Sequence, residues 1–338
     1  MKRSAAAILI GALLCGAPAL ANDSSAELAT GGLVLTRSDS IEMKSEDLYI
    51  STDQVIVRYR FLNTSDKPVR TVVAFPMPDI GGEGFFESDH GLPSDDATNL
   101  LDFATTVDGR PVKALVEQKA LVNGLDRTDW LLGHGVPLAA HRPEAGKALD
   151  ALSPADKQEA LDLGLAWVDK YDVGNGWEEH LAPSWVLKTT FYWTQTFPPG
   201  KELMVEHRYK PSVGGSVSSL LGSDYWGRDG EGWTEAMTRD YCIDKDLVAT
   251  TERRRKEPGF SGYQELRLAY ILTTGANWAQ PIGDFRLVVD KGAPANLVSF
   301  CGEGVRKISP TQFEIRKTDF TPQADLKILI LQPILPLQ

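Results

Sequence analysis

The chain has 338 residues, 42% of them hydrophobic and 24% charged, and a formal net charge of −11. That length supports two modest domains or one elaborate one around a substantial core. So acidic a chain is a poor partner for nucleic acid or for an anionic membrane surface.

Lys2 and Arg3 precede an apolar stretch, Ala5 to Leu14, and the small residues of Ala19-Leu20-Ala21 follow. A charged start, a short apolar run and small residues at −3 and −1 describe a secretory leader, residues 1–21, cleaved after Ala21. The run is too short to span a bilayer, which needs about 20 residues. Cys15 offers a lipoprotein alternative, but that processing needs a small residue where Leu14 stands. The expected location is therefore the periplasm or the medium. No later segment is long enough for a membrane span, and the C-terminal "LKILILQPILPL" is broken by Pro333 and Pro336.

Residues 22–119 read as a β region. In "QVIVRYRFLN", Val55, Val57, Tyr59 and Phe61 alternate with Gln54, Arg58 and Arg60, the pattern of a half-buried strand. "TSDKP" is a turn, and "VRTVVAFPMP" is a strand stopped by Pro76 and Pro78. "FATTVDGRPVKALVEQ" predicts a hairpin with Asp108-Gly109 at its tip.

Residues 120–182 read as a helical insertion. "DRTDWLLGHG" predicts a short helix capped by Asp126. In "SPADKQEALDLGLAWVDKY", Ser153 is the cap, Pro154 the first helical residue and Asp156 the capping-box acid. Leu161, Leu165 and Val168 then form one helical face, with Trp167 beside it.

From 183 to 338 the β pattern resumes, with a Gly/Ser-rich loop near 211–233 and five further short apolar segments. Many short strands punctuated by Gly, Pro and Asp predict a mainly β protein, an antiparallel β-sandwich or two, with no βαβ alternation.

The region opens on "FYWTQTFPPGKELMVEHRYKP", read as strand, turn, strand. Phe191, Trp193 and Phe197 share one face of the first strand; Leu203, Val205, His207 and Tyr209 share one face of the second. If the two pair as a hairpin, their apolar faces coincide only when the connection around Pro198-Pro199-Gly200 holds three or five residues. Trp193 would then face Val205 or His207. His207 is expected to be a neutral, hydrogen-bonded core residue, with Glu202 and Glu206 turned to water.

Past the leader only Cys242 and Cys301 remain, and in an oxidising compartment they are expected to pair. The spans "YWTQTFPPGKELMVEHRYKPSVGG", "LTTGANWAQPIGDFRLVVDKG", "VSFCGEGVRKISPTQFEIR" and "STDQVIVRYRFLNTSDKPVRTVVAFPMPDI" resemble a bacterial secreted family catalogued as domain of unknown function 4424. The resemblance covers nearly the whole chain past the leader and implies no catalytic residues. The strand–turn–strand ending in "AFPMP" is also similar to N-terminal β domains of the VIT type.

The sequence holds no GxSxG elbow, HExxH, P-loop or GxGxxG. His90, His134, His141, His180 and His207 are too far apart to pair locally, so no metal site or cofactor is expected. "SDHGLPSDD" and "WGRDGEGWTE", with Asp229, Glu231 and Glu235, read as solvated acidic loops, and "ERRRKEP" as a solvated basic turn. Glu202 and Glu206 lie about 13 Å apart along a strand, outside the roughly 5–9.5 Å of glycosidase pairs. Tyr225, Trp226 and Trp233, beside the flexible loop, could contact a ligand or close the end of a sandwich. The expectation is a binding module for an envelope protein or polysaccharide; the alternative is a hydrolase of envelope glycans.

Overall fold

A computed structural model describes residues 22–29, 32–82, 91–228 and 232–334. The leader with Cys15, His90, Asp229 and Glu231 lie outside the described residues.

Two large sheets face each other. The first runs in the order Leu125–Asp126, Leu115–Val122, Val186–Phe197, Val69–Pro76, Ser24–Ala29, Gly32–Thr36, with Ile80–Gly81 also paired to Val186–Phe197. The second runs Arg306–Lys307, Gln312–Phe320, Ile282–Asp290, Ile41–Ile50, Val55–Asn63, Glu202–Tyr209, Ala104–Val107, Arg110–Val112. Val73, Phe75, Phe191 and Trp193 from one sheet and Val57, Tyr59, Phe61 and Val205 from the other form one buried core. The period-two patterns of these strands supply that core, since every second side chain of a strand points to the same face. The protein is thus a mainly β sandwich, with strands from before and after the helical segment interleaved in both sheets. One neighbour pair, Ile41–Ile50 with Ile282–Asp290, is parallel. Strands more than 200 residues apart are free of the hairpin connection that forces antiparallel pairing.

Asp108-Gly109 turns the hairpin of Ala104–Val107 and Arg110–Val112, Val107 facing Arg110. Both turn residues have positive φ, 48° and 74°, as a two-residue primed turn requires.

The opening stretch forms no hairpin. Val186–Phe197 pairs with Val69–Pro76 and Leu115–Val122, whereas Glu202–Tyr209 pairs with Val55–Asn63 and Ala104–Val107. The connection at Pro198-Pro199-Gly200 crosses from one sheet to the other, so its loop parity is irrelevant. Trp193 and His207 meet across the core, ring centroids 5.5 Å apart and nearly perpendicular. The physical reason is burial. In opposite sheets the two apolar faces cover each other directly across the core.

In the helical segment, Thr128–Gly133, Pro143–Asp150 and Pro154–Asp162 pack around buried Trp185, whose Nε1 donates to the Leu138 carbonyl at 2.7 Å. Asp126 accepts from the Thr128 amide, and Ser153 accepts from that of Asp156. The last of these helices is shorter than its apolar pattern suggests. Gly164 takes φ 69°, a conformation that ends a helix. Trp167 and Val168 belong instead to Ala166–Asp172, which pairs only with Trp177–Pro183 as an isolated two-stranded ribbon.

A third sheet, Gly214–Ser216, Tyr263–Tyr270, Leu326–Pro333, Leu297–Phe300, lies against the sandwich. Its Leu268, Tyr270, Ile328 and Ile330 join the main core. Leu329 and Leu331 face the other way, into a smaller cluster with Met237, Ile243 and Leu221. The apolar C-terminal run is thus a strand buried on both faces. Two helices within the predicted β region, Trp233–Tyr241 and Lys245–Arg255, accompany that outer cluster. The basic run is the last turn of the second helix rather than a free turn, at the end where cations favour the helix dipole. Arg255 donates to the carbonyls of Leu221 and Ser219. Among the described residues no helix is long and apolar enough to cross a membrane.

Candidate functional site

Alternation along Glu202–Tyr209 places Leu203, Val205, His207 and Tyr209 inside, and all four are buried. His207 has no exposed surface. Its ring lies among Phe75, Phe103, Trp193 and Tyr59 at 4.7–5.6 Å. Its Nε2 is 3.0 Å from Oδ1 of Asp23, itself wholly buried. Burial pushes the Asp23 carboxyl up, and the charge of His207 opposes that rise. The outer face of the strand carries the glutamates. Arg58 donates to Glu206 at 2.6 Å, and Arg60 lies 3.6 Å from Glu202. Both carboxylates therefore serve cross-strand ion pairs.

Tyr225 is exposed. Trp226 and Trp233 are half-buried and pack edge to face, centroids 5.7 Å apart, at the margin of the outer cluster of the third sheet. Trp233 opens its helix. Cys242 ends that helix and bridges to Cys301, just past Leu297–Phe300, with Cα atoms 5.0 Å apart. The disulfide ties the helix to the sheet edge beside it.

A cleft of about 310 Å³ opens where the third sheet meets the sandwich. Pro78 and Asp79 form one rim, Pro211–Gly215 another, and Tyr209, Tyr241, Arg267 and Lys327 also line it. Gly215 is required by the close approach of strands there, since a Cβ would fall 2.0 Å from the Glu265 carbonyl oxygen. The two cations are held by carboxylates outside the lining. Arg267 donates to buried Glu265 at 3.0 Å, and Lys327 to Asp240 at 2.6 Å. Glu265 is further fixed by Ser219. Asp79 accepts from Lys188 at 2.8 Å. The buried Tyr209 hydroxyl has no hydrogen-bond partner among the described residues. Such a surface offers N–H and O–H donors on a preorganised frame.

The sequence hid this cleft because its residues come from five separate segments with no local spacing. His134 is brought by the fold to Asp156 and Glu159, one turn apart on Pro154–Asp162, and their ligand atoms converge within 4.8 Å on the surface of the helical segment. A partly exposed imidazole–carboxylate group is ordinarily solvated.

Among solved structures, the chain is similar to that of "a putative nutrient binding protein" from Legionella pneumophila. Identity is 18%, the TM-score 0.46, and the match covers 93% of this chain and 70% of that one. No curated protein matches the chain. The match to the family described as "Domain of unknown function (DUF4424)" runs over residues 21–329, nearly the whole sequence, and the chain belongs to that family.

Proposed function

We propose that this protein is a secreted binding module of the cell envelope that takes a carboxylate-bearing saccharide in the cleft between the sandwich and the third sheet. One observation carries the reading: Arg267 and Lys327 line the cleft while their partner carboxylates, Glu265 and Asp240, do not. The cleft thereby offers charged donors, and Tyr241 adds an amphipathic ring against which a sugar can pack. Titration calorimetry with fragments of acidic envelope glycans tests it. Arg267→Gln and Lys327→Gln should each weaken binding about tenfold or more. Release of new reducing ends from the same fragments would instead favour the hydrolase alternative.

A protein partner is favoured by a different observation. The ribbon of Ala166–Asp172 and Trp177–Pro183 exposes Trp167, Tyr171 and Trp177, the last at 66%. Tryptophan and tyrosine are the side chains most often found at interface hot spots. Loss of a periplasmic partner in pull-downs after Trp177→Ala, with glycan binding unchanged, would assign the ribbon to it.

A further inference from the structure

The first residues after the expected cleavage point are held in the core. Asn22 and Asp23 are both 0% exposed, whereas the first residues of a domain ordinarily fray. Asn22 donates from Nδ2 to Oε2 of Glu46 at 3.1 Å, and its Oδ1 accepts from the Tyr59 hydroxyl. Its carbonyl accepts from Thr274 at 2.8 Å, and that of Asp23 accepts from Trp278 Nε1 at 2.8 Å. Gly275 leaves room for Asn22, since a Cβ there would stand 2.8 Å from its Nδ2. Three regions distant in sequence thus form a socket for two residues.

The charges in that socket do not balance. Two carboxylic acids, Asp23 and Glu46, are buried together, Glu46 at 1% exposure. The one basic side chain bonded to them is His207, and it binds Asp23. Among the described residues, Oε1 of Glu46 and Oδ2 of Asp23 are both buried without a partner. With residue 22 joined to residue 21 by a peptide bond, burial pushes the Glu46 carboxyl up to about 8. A buried acid with half its oxygens unmatched is costly unless a cation meets it.

We propose that cleavage of the Ala21–Asn22 bond supplies the cation: the new α-ammonium of Asn22 seats in this socket as the counter-ion of Glu46. In the cleavage, a leader peptidase adds water across the peptide bond. Ala21 takes the carboxylate, and the Asn22 nitrogen becomes an amine that is protonated below its ordinary pKa of about 8. That nitrogen belongs to the residue whose side chain already touches Glu46, and it carries the charge the socket lacks. Leader removal therefore completes the fold, and the uncleaved chain is the less stable form.

The test uses the secreted protein, after intact mass has identified its terminus. An amine-reactive reagent at neutral pH should label the native α-amine about 100-fold more slowly than in denatured protein. A second form carries Gly-Ser inserted between Ala21 and Asn22, which displaces the terminal charge. Its Tm should be lower by about 5 °C or more. Glu46→Gln should lower Tm in the normally processed protein and change it little in the inserted form. The proposal is overturned by a terminus other than Asn22, by labelling at the denatured rate, or by an equal effect of Glu46→Gln in both forms. If the inserted form does not fold, the labelling rate of the processed protein still decides.

Discussion

Two strand–turn–strand segments lie within 45 residues of each other and end differently. Ala166–Asp172 and Trp177–Pro183 pair with one another through seven residues and stand as a ribbon with aromatic side chains in water. Val186–Phe197 and Glu202–Tyr209 do not pair, and each is central in a different sheet. In the second segment the buried apolar residues fall on one face of each strand, while Val186, Tyr192 and Met204 lie on the other face and are less buried. Facing each other across the core, the strands bury both sets at once. In the ribbon, Trp167 and Tyr171 lie on one face and Val168 and Trp177 on the other, so no packing against a single surface could cover them. Apolar alternation thus says which side of a strand goes in, whereas the choice of hydrogen-bonding partner depends on what else must be covered.

The sharpest way to break the comparison is to truncate one large apolar side chain in each segment. Phe197 is fully buried against Phe61 and Trp278. Phe197→Ala should cost about 3–5 kcal/mol in denaturant unfolding, while Trp177→Ala should stay within about 0.5 kcal/mol. Comparable losses would mean that the ribbon is packed rather than presented.

The next largest effect concerns the covalent tie at the third sheet. Replacing Cys242 and Cys301 together with Ser should cost about 4 kcal/mol for a bridge between residues 59 apart. It should leave the ribbon's protease sensitivity unchanged, which limited proteolysis would read. Accelerated cleavage in 166–183 would show that the two regions unfold as one.

A pH series separates the two forms of the N-terminus. Glu46 bonds Asn22, feels the charge of Asp23 and interacts with the hydroxyls of Tyr59 and Tyr270. Its raised carboxyl in the uncleaved chain binds its proton more tightly folded than unfolded. Stability is then highest below the ordinary value of 4.5 and falls as pH rises from there towards about 8. The inserted form should show that fall in Tm; the processed protein, with Glu46 paired, should not. Parallel curves would contradict the pairing.

The smallest effect expected among the sandwich's own charges is at Glu314. Arg286 first, then Arg316 and Arg306, hold its carboxyl down to about 2. A lowered carboxyl stabilises the fold fully above 4.5, and that contribution is lost as pH falls through about 2. Glu314→Gln should cost about 1–3 kcal/mol at pH 7 and flatten the acid limb of the unfolding curve. An unchanged acid limb would show that the three arginines find other partners.

Much of the fold was legible because it rests on local rules. Period-two alternation marked Val55 to Phe61 and Leu203 to Tyr209 as inward faces, Asp108-Gly109 marked a primed turn, and Ser153-Pro154 marked a helix start. A long apolar run with no alternation, "LKILILQ", is the signature of a strand buried on both faces, but only the helices behind the third sheet supply its second covering. The helices Trp233–Tyr241 and Lys245–Arg255 were hidden by the glycine-rich loop before them and by a charged composition that also suits loops.

From the sequence alone the inward faces of the sandwich strands and the Asp108-Gly109 turn could be read, and Cys242 and Cys301 were expected to pair. Only the tertiary structure decided that the strands on either side of Pro198-Pro199-Gly200 part into two sheets. It alone decided that Arg267 and Lys327 share a cleft with Tyr241, and that Asn22 and Asp23 meet Glu46 and His207. The reason is range. Alternation, turns and caps act over a few residues and are written in consecutive positions. Strand partnership and charge balance are set by burying the whole apolar surface at once, between segments as much as 255 residues apart.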